Sequence, residues 1–198
     1  MILHSFKFDP DAIPDERKMI RMTPAIRSLI HTINLIPNAT ILEVGISRGH
    51  STATILQSSP DLKEYWGIDA YQPGKDFLDT PTREYTINEV NKIKKRAFSN
   101  IRAQSNCSIF KMYEDWTWNV VNEFEDQYFD FIFLDSYLNE KDVEHELKRW
   151  YPKLKVGGYY SGHDYAYAQV KRPVNKFIKD NNVKTYSIFD SVWVWKKV

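Results

Sequence analysis

Ile41-Leu42-Glu43-Val44-Gly45-Ile46-Ser47-Arg48-Gly49-His50-Ser51-Thr52 changes character at its middle. Ile41, Leu42 and Val44 form a nearly unbroken apolar run, as expected of a parallel strand covered on both faces. Gly45 allows the chain to turn sharply at that strand's carboxyl end. From Ser47 the pattern becomes polar and then runs into Ala53, Ile55 and Leu56, which predicts a helix whose first N–H groups point back at the turn. A strand, a glycine turn and a helix N-terminus in that order make a ligand-binding unit.

The chemistry of the ligand follows from what the turn lacks. The dinucleotide fingerprint G-x-G-x-x-G, started at Gly45, needs glycines at 47 and 50, where this chain has Ser47 and His50. An acidic Glu43 beside the turn suits a cofactor that carries an ammonium and a sulfonium, by Coulomb attraction. S-adenosylmethionine has both.

These residues resemble motif I of class I methyltransferases, E-x-G-x-x-x-G-x-S-T, and are most similar to the small-molecule branch called methyltransferase family 24. A second stretch, Trp150-Tyr-Pro-Lys-Leu-Lys-Val-Gly157-Gly158-Tyr-Tyr-Ser-Gly-His163-Asp164-Tyr165, is similar to that family's helix, Gly-Gly turn and His-Asp-Tyr terminus. The resemblance covers roughly residues 38 to 197. It implies a Rossmann-like three-layer α/β sandwich, with a mostly parallel seven-stranded sheet ending in an antiparallel hairpin. It also implies cofactor contacts from Glu43, Gly45, Ser47, Gly49 and Ser51.

Bulk properties agree with one domain, residues 1–198, made of an N-terminal arm and helices over 1–37 and a core over 38–198. The chain has 198 residues, 42% hydrophobic, enough to bury a sizeable core. Net charge is +1, from 27 Lys and Arg against 26 Asp and Glu, so no global field favours nucleic acid or an anionic membrane. The single Cys107 cannot form an internal disulfide, and residues 1–9 lack the basic and apolar regions of a secretory leader. A cytoplasmic protein is expected, without a membrane partner. Oligomeric state is left open, with a homo-oligomer allowed.

Along the chain, the first fourteen residues read as an extended arm, and Asp15 as the cap of a helix from Glu16 to Leu35, with Pro24 as a break or restart. Glu64 to Asp69 reads as the second core strand. Asp69 falls about one βα unit after the glycine turn, where nucleotide folds place a carboxylate on ribose hydroxyls. Residues 70–81 form a long connection of the kind that serves as a lid. A polar helix is expected over 82–104, and Ser108–Met112 is the third strand. The resemblance places residues just after it near the adenine, so Glu114 or Asp115 is expected there; Trp116 is either an adenine neighbour or a core residue.

Phe129 to Asp135 is the clearest strand, and it closes on a carboxylate. A helix from Glu140, a strand ending at His163-Asp164, a helix over 170–179 and two strands joined by Asp190-Ser191 complete the chain. Ligand sites in open α/β sheets lie beyond the strands' carboxyl ends, so Gly45, Asp69, Asp135, His163 and Asp164 are expected to converge. Asp135 joins the cofactor set and, with His163, the catalytic one. Asp135, Asp164 and His163 form a ligand set for a divalent cation such as Mg²⁺, which would lower an acceptor hydroxyl's pKa. His163 is alternatively the general base. Family members often carry Asp-Gly-x-His-Ser-Tyr after strand four; here it is Asp135-Ser-Tyr-Leu-Asn139, without the histidine. The expected activity is O-methylation of a small molecule. The alternatives are metal-independent N- or O-methylation, and a non-catalytic scaffold that keeps the fold.

Overall fold

The computed structural model describes residues 1–13, 23–75, 84–136 and 139–198. Its order is β1 (Ile2–Ser5), α1 (Pro24–Asn34), β2 (Thr40–Val44), α2 (His50–Ser58), β3 (Glu64–Asp69), β4 (Gly74–Lys75), β5 (Glu84–Tyr85), α3 (Ile87–Arg102) and β6 (Phe110–Glu114). There follow α4 (Thr117–Val120), β7 (Phe129–Leu134), α5 (Glu140–Trp150), β8 (Leu154–Gly162), α6 (Ala168–Asp180), β9 (Tyr186–Phe189) and β10 (Val192–Lys196). The main sheet runs β1-β6-β3-β2-β7-β8-β10-β9. Strands β6, β3, β2, β7 and β8 are parallel; β10 pairs antiparallel with β8, and β9 with β10.

Eight strands stand where seven were expected. The extra one is the N-terminal arm, whose alternating residues pair antiparallel with β6 from Ile2↔Glu114 to Ser5↔Lys111. β4 and β5 form a separate two-residue ladder within the long connection after β3. The expected cap Asp15, the first part of its helix (16–22), residues 76–83 of the connection and its following helix start, and Tyr137-Leu138 lie outside the described residues.

Three layers follow from strand periodicity. On β7, Phe131 and Phe133 enter the cluster under α1, α2 and α3, whereas Ile132 and Leu134 enter the cluster under α5 and α6, which Phe129 joins across a register irregularity. Successive side chains of a strand point to opposite faces, so an apolar run this dense requires cover on both. Helix starts are chemically marked. Pro24 opens α1 at its first position, capped by Thr23. α3 begins at Ile87, not in the low eighties, because Thr86 and Glu89 form a capping box. Asn139 accepts from the Lys141 and Asp142 N–H groups to start α5. β8 is longer than its sequence implies: Leu154 to Gly158 extend the strand, with a register irregularity opposite β7 between Phe129 and Phe131, instead of forming a free turn.

One buried carboxyl on α5 has a consequence for stability. Glu146 is 3% exposed, accepts from Thr117 Oγ1 at 2.8 Å and Trp150 Nε1 at 2.9 Å, and lies 3.7 Å from Arg149. Burial pushes its pKa up to about 7, against the lowering effect of those donors. The folded chain therefore keeps a proton that the unfolded chain releases near 4.5, and stability falls as pH rises through that interval. Glu146→Gln keeps an acceptor for both donors and removes the titration. Urea unfolding at pH 5 and pH 8 should show the wild type losing roughly 1–3 kcal/mol more than the variant over that range. Parallel pH profiles for the two proteins would contradict the assignment.

Candidate active site

The sheet's carboxyl edge has its switch point between β2 and β7, where the chain stops building outward through β3 and β6 and starts in the other direction. Two backbone bonds tie this point together: Asp135 N–H donates to the Val44 carbonyl at 2.7 Å, and Gly45 N–H to that of Ile68 at 2.8 Å. Gly45 has φ +93°, and a Cβ there would lie 2.3 Å from the Asp135 carbonyl oxygen. Only glycine meets both demands. Gly49, at φ +68°, caps α2.

Two carboxylates hold the turn from below. Glu43 is 1% exposed. One of its oxygens accepts from Ser51 Oγ and the other from Thr52 Oγ1 (2.7 Å) and the Tyr65 hydroxyl. Burial raises its pKa, with those hydroxyls pulling the other way and the Asp69 charge adding to the rise. Asp69 accepts from the N–H groups of Ile46 (2.9 Å), Ser47 (2.8 Å) and Tyr71 (2.8 Å), while the Tyr71 hydroxyl donates to the Ser47 carbonyl (2.9 Å). Its pKa too is raised by burial, against three backbone bonds that favour the charged form. Both expected cofactor residues thus stand at the loop, and both already carry internal hydrogen bonds. Ser47, at φ +48°, stands in the loop itself.

Beyond β6, Glu114 bonds to His4 Nε2 and Lys94 Nζ, each at 2.7 Å, and these outweigh the upward push of partial burial to keep its carboxyl below the usual range. Asp115 accepts from the Met1 ammonium (2.9 Å), Asn119 Nδ2 (2.8 Å) and Trp116 N–H (2.7 Å). The ammonium bond leads in holding it down to about 2. Trp116 is no core residue: it is 40% exposed and stacks on Trp118 with ring centroids 4.7 Å apart.

Asp135, His163 and Asp164 come together on the neighbouring ends of β7 and β8. His163 Nδ1 lies 2.9 Å from Asp164 Oδ1 and 3.5 Å from Asp135 Oδ1. One ligand atom from each fits within 4.8 Å. His163 N–H extends the ladder to the Leu134 carbonyl at 3.0 Å, and Asp164 turns away at φ +61°. Burial would lower the imidazole pKa, but the Asp164 hydrogen bond and the charges of Asp135, Asp164 and Asp190 outweigh it and lift the ring to about 9. Asp135 is raised to about 8, chiefly by burial, with the His163 charge opposing.

Sequence reasoning missed Tyr65 and Tyr71. Pairing Glu43 with Gly67 in the β2–β3 register places Tyr65, two residues earlier on the same face, diagonal to Glu43. That period-two count was available, but it needs the strand order first.

The family model described as a methyltransferase domain, methyltransferase family 24, matches residues 42–165. This chain belongs to that family. It is a class I S-adenosylmethionine-dependent methyltransferase. Among solved structures, it is similar to the O-methyltransferase NovP at 17% identity, covering 87% of this chain and 78% of that one, with a TM-score of 0.60. It is also similar to the O-methyltransferase TomG from Streptomyces achromogenes in complex with SAM, at 11% identity, 91% and 82% coverage and a TM-score of 0.63. The tRNA (m1A58) methyltransferase TrmI from Aquifex aeolicus shares the fold as well, at 15% identity, 94% and 70% coverage and a TM-score of 0.61. No curated protein matches this methyltransferase. No helix among the described residues is long and apolar enough to cross a membrane.

The turn makes a sharp demand. Gly45→Ala adds both a positive-φ penalty and an overlap with the Asp135 carbonyl, whereas Gly157→Ala meets φ +83° with nothing within 4 Å. Urea unfolding should show Gly157→Ala costing roughly 1 kcal/mol and Gly45→Ala roughly 2–4 kcal/mol. Equal losses at the two positions would mean that the close approach is not what constrains Gly45.

Proposed function

We propose that this methyltransferase moves the methyl group of S-adenosylmethionine to a hydroxyl oxygen of a small molecule. The observation that carries the reading is the convergence of Asp135, His163 and Asp164 beside the Gly45 turn. Methyl transfer is an in-line displacement: an oxygen lone pair forms the new C–O bond, and the C–S bond breaks with its electrons going to sulfur. The hydroxyl proton must leave as well. The protein's share is alignment and proton removal.

The cofactor lies against the loop from Gly45 to Gly49, with Asp69 at the ribose, Glu43 and Ser51 beneath the turn, and Glu114 or Asp115 toward the adenine. Asp135, adjacent to the turn, takes the acceptor's proton. His163 orients the acceptor and is itself held by Asp164 at 2.9 Å.

Two carboxylates and one imidazole within 4.8 Å fit a divalent cation. The mixed donor set suits Mn²⁺ or Zn²⁺ as well as Mg²⁺, which prefers oxygen. A cation held by Asp135, Asp164 and His163 would lower the pKa of the acceptor hydroxyl. A metal-independent transfer has its own support: His163 Nδ1 lies 2.9 Å from Asp164 Oδ1 and 3.5 Å from Asp135 Oδ1, so a protonated imidazole offsets the carboxylate charge without a cation.

The test is transfer of a labelled methyl group to a panel of small phenols, catechols, sugars and amines, before and after chelation and with Mg²⁺ or Mn²⁺ restored. We expect labelled ethers, and a loss of about 10²-fold or more in Asp135→Ala. A rate that drops on chelation and returns with the ion assigns the cluster to a cation, and an unchanged rate assigns the metal-independent route. Transfer to amines alone would contradict the hydroxyl reading.

A further inference from the structure

The sheet ends on β9, and none of its residues is covered. Tyr186, Ile188 and Phe189 are 45%, 38% and 45% exposed, and Ser187 is exposed too. The strand contains no charge, no proline and no register irregularity, the devices that normally keep an edge from pairing. β9 is short, but nothing else among the described residues blunts it.

Its backbone has a definite parity. The two-residue turn Asp190-Ser191, with φ +58° at Asp190, makes Phe189 and Val192 the closing pair of the hairpin. By antiparallel alternation, Phe189 and Ser187 direct their N–H and C=O groups at β10, while Tyr186 and Ile188 direct theirs at the free edge. A second strand added antiparallel must set its own outward-facing residues opposite these.

For two copies of the same strand related by a two-fold axis, that leaves few registers. The one centred on Ser187 sets Tyr186 opposite Ile188 twice, joining backbone bonds to an aromatic–aliphatic pair. It also sets Lys184 opposite Asp190 at both ends, since each lies three residues from Ser187. Registers centred on Tyr186 or Ile188 lose that charge match. Among the described residues, Lys184 Nζ bonds to the neighbouring Asn182 side chain, and neither Lys184 nor Asp190 forms an ion pair there. The opposite edge exposes Ile2 and Leu3, but Met1 to Ser5 carry no acid, so that stretch has no corresponding charge match.

We propose that the free edge of β9 is a self-association surface, through which two copies of this chain pair antiparallel with Lys184 of each copy opposite Asp190 of the other. The hairpin is joined to the site: Tyr165 N–H donates to the Ser191 carbonyl at 3.0 Å, and Ala166 N–H to Ser191 Oγ at 3.3 Å. Pairing would thus brace the turn that follows His163 and Asp164. A four-residue strand beside α1 is smaller than the usual stable interface, so a dissociation constant of about 1–100 µM is expected.

Sedimentation equilibrium of the full chain from about 1 to 300 µM tests this. The wild type should pass from the 23.4 kDa chain mass to twice that value. Tyr186→Pro removes one outward N–H at the first strand residue, where proline leaves the bonds to β10 in place, and should weaken the dimer at least tenfold. Lys184→Glu sets like charges opposite each other and should weaken it at least fivefold, and the double variant Lys184→Glu/Asp190→Lys should bring it back. Thermal melts check that each variant is folded. As a readout that needs no substitution, the wild-type constant should rise between 50 and 500 mM salt. A wild type that stays monomeric throughout, or a dimer indifferent to Tyr186→Pro, overturns the proposal. A dimer that responds to proline but to neither charge reversal nor salt overturns the register.

Discussion

The end of β2 and the end of β7 share one small volume, and the Asp135 carbonyl occupies the place where any side chain at position 45 would stand. Because Asp135 N–H bonds to Val44 and Gly45 N–H to Ile68, three parallel strands stop at the same level. His163 joins a fourth through Leu134. The glycine turn that we assign to the cofactor and the acids that we assign to the acceptor are thereby held at adjacent points of one rigid edge. Methyl transfer needs such a fixed relation, since its rate depends on aligning two reactants in line.

A turn with three positive-φ residues, Gly45, Ser47 and Gly49, has few bonds of its own to keep it in shape. Glu43 and Asp69 supply them. Glu43 ties α2 to β2 and β3 through three hydroxyls, and Asp69 collects three backbone N–H groups from the turn and from Tyr71. Each acid is kept in a buried place by donors that offset part of the desolvation cost. The same residues a ligand would meet are therefore the ones that shape its seat. The proposed acceptor end is built differently: a partly exposed histidine has its Nδ1 2.9 Å from one carboxylate and 3.5 Å from the other.

Most of the architecture was legible because its signals are local. Apolar runs over 41–44 and 129–134 marked doubly covered strands, and acids at 69, 135 and 164 marked their carboxyl ends. What escaped depended on pairing between distant segments. The alternating arm at the N-terminus is a sheet strand only because β6 lies beside it, and Tyr65 and Tyr71 become site residues only once β3 is aligned on β2. The helix after the long connection starts later than periodicity implies because a capping box at Thr86 and Glu89 overrides a polar lead-in. Lys155-Val-Gly-Gly158 reads as a turn by composition, yet contacts with β7 and β10 draw it into β8.

In the proposed reaction the two ends of this edge serve two partners, and calorimetric titration with S-adenosylhomocysteine tests that division most directly. Wild type and His163→Ala should bind with affinities within about threefold of each other, because His163 faces the acceptor. Asp69→Asn, which replaces one acceptor oxygen by a donor at the loop and the ribose, should lose about 30-fold or more, or roughly 2 kcal/mol. Loss of binding in His163→Ala with Asp69→Asn unaffected would contradict the assignment of the Gly45 turn and Asp69 to the cofactor.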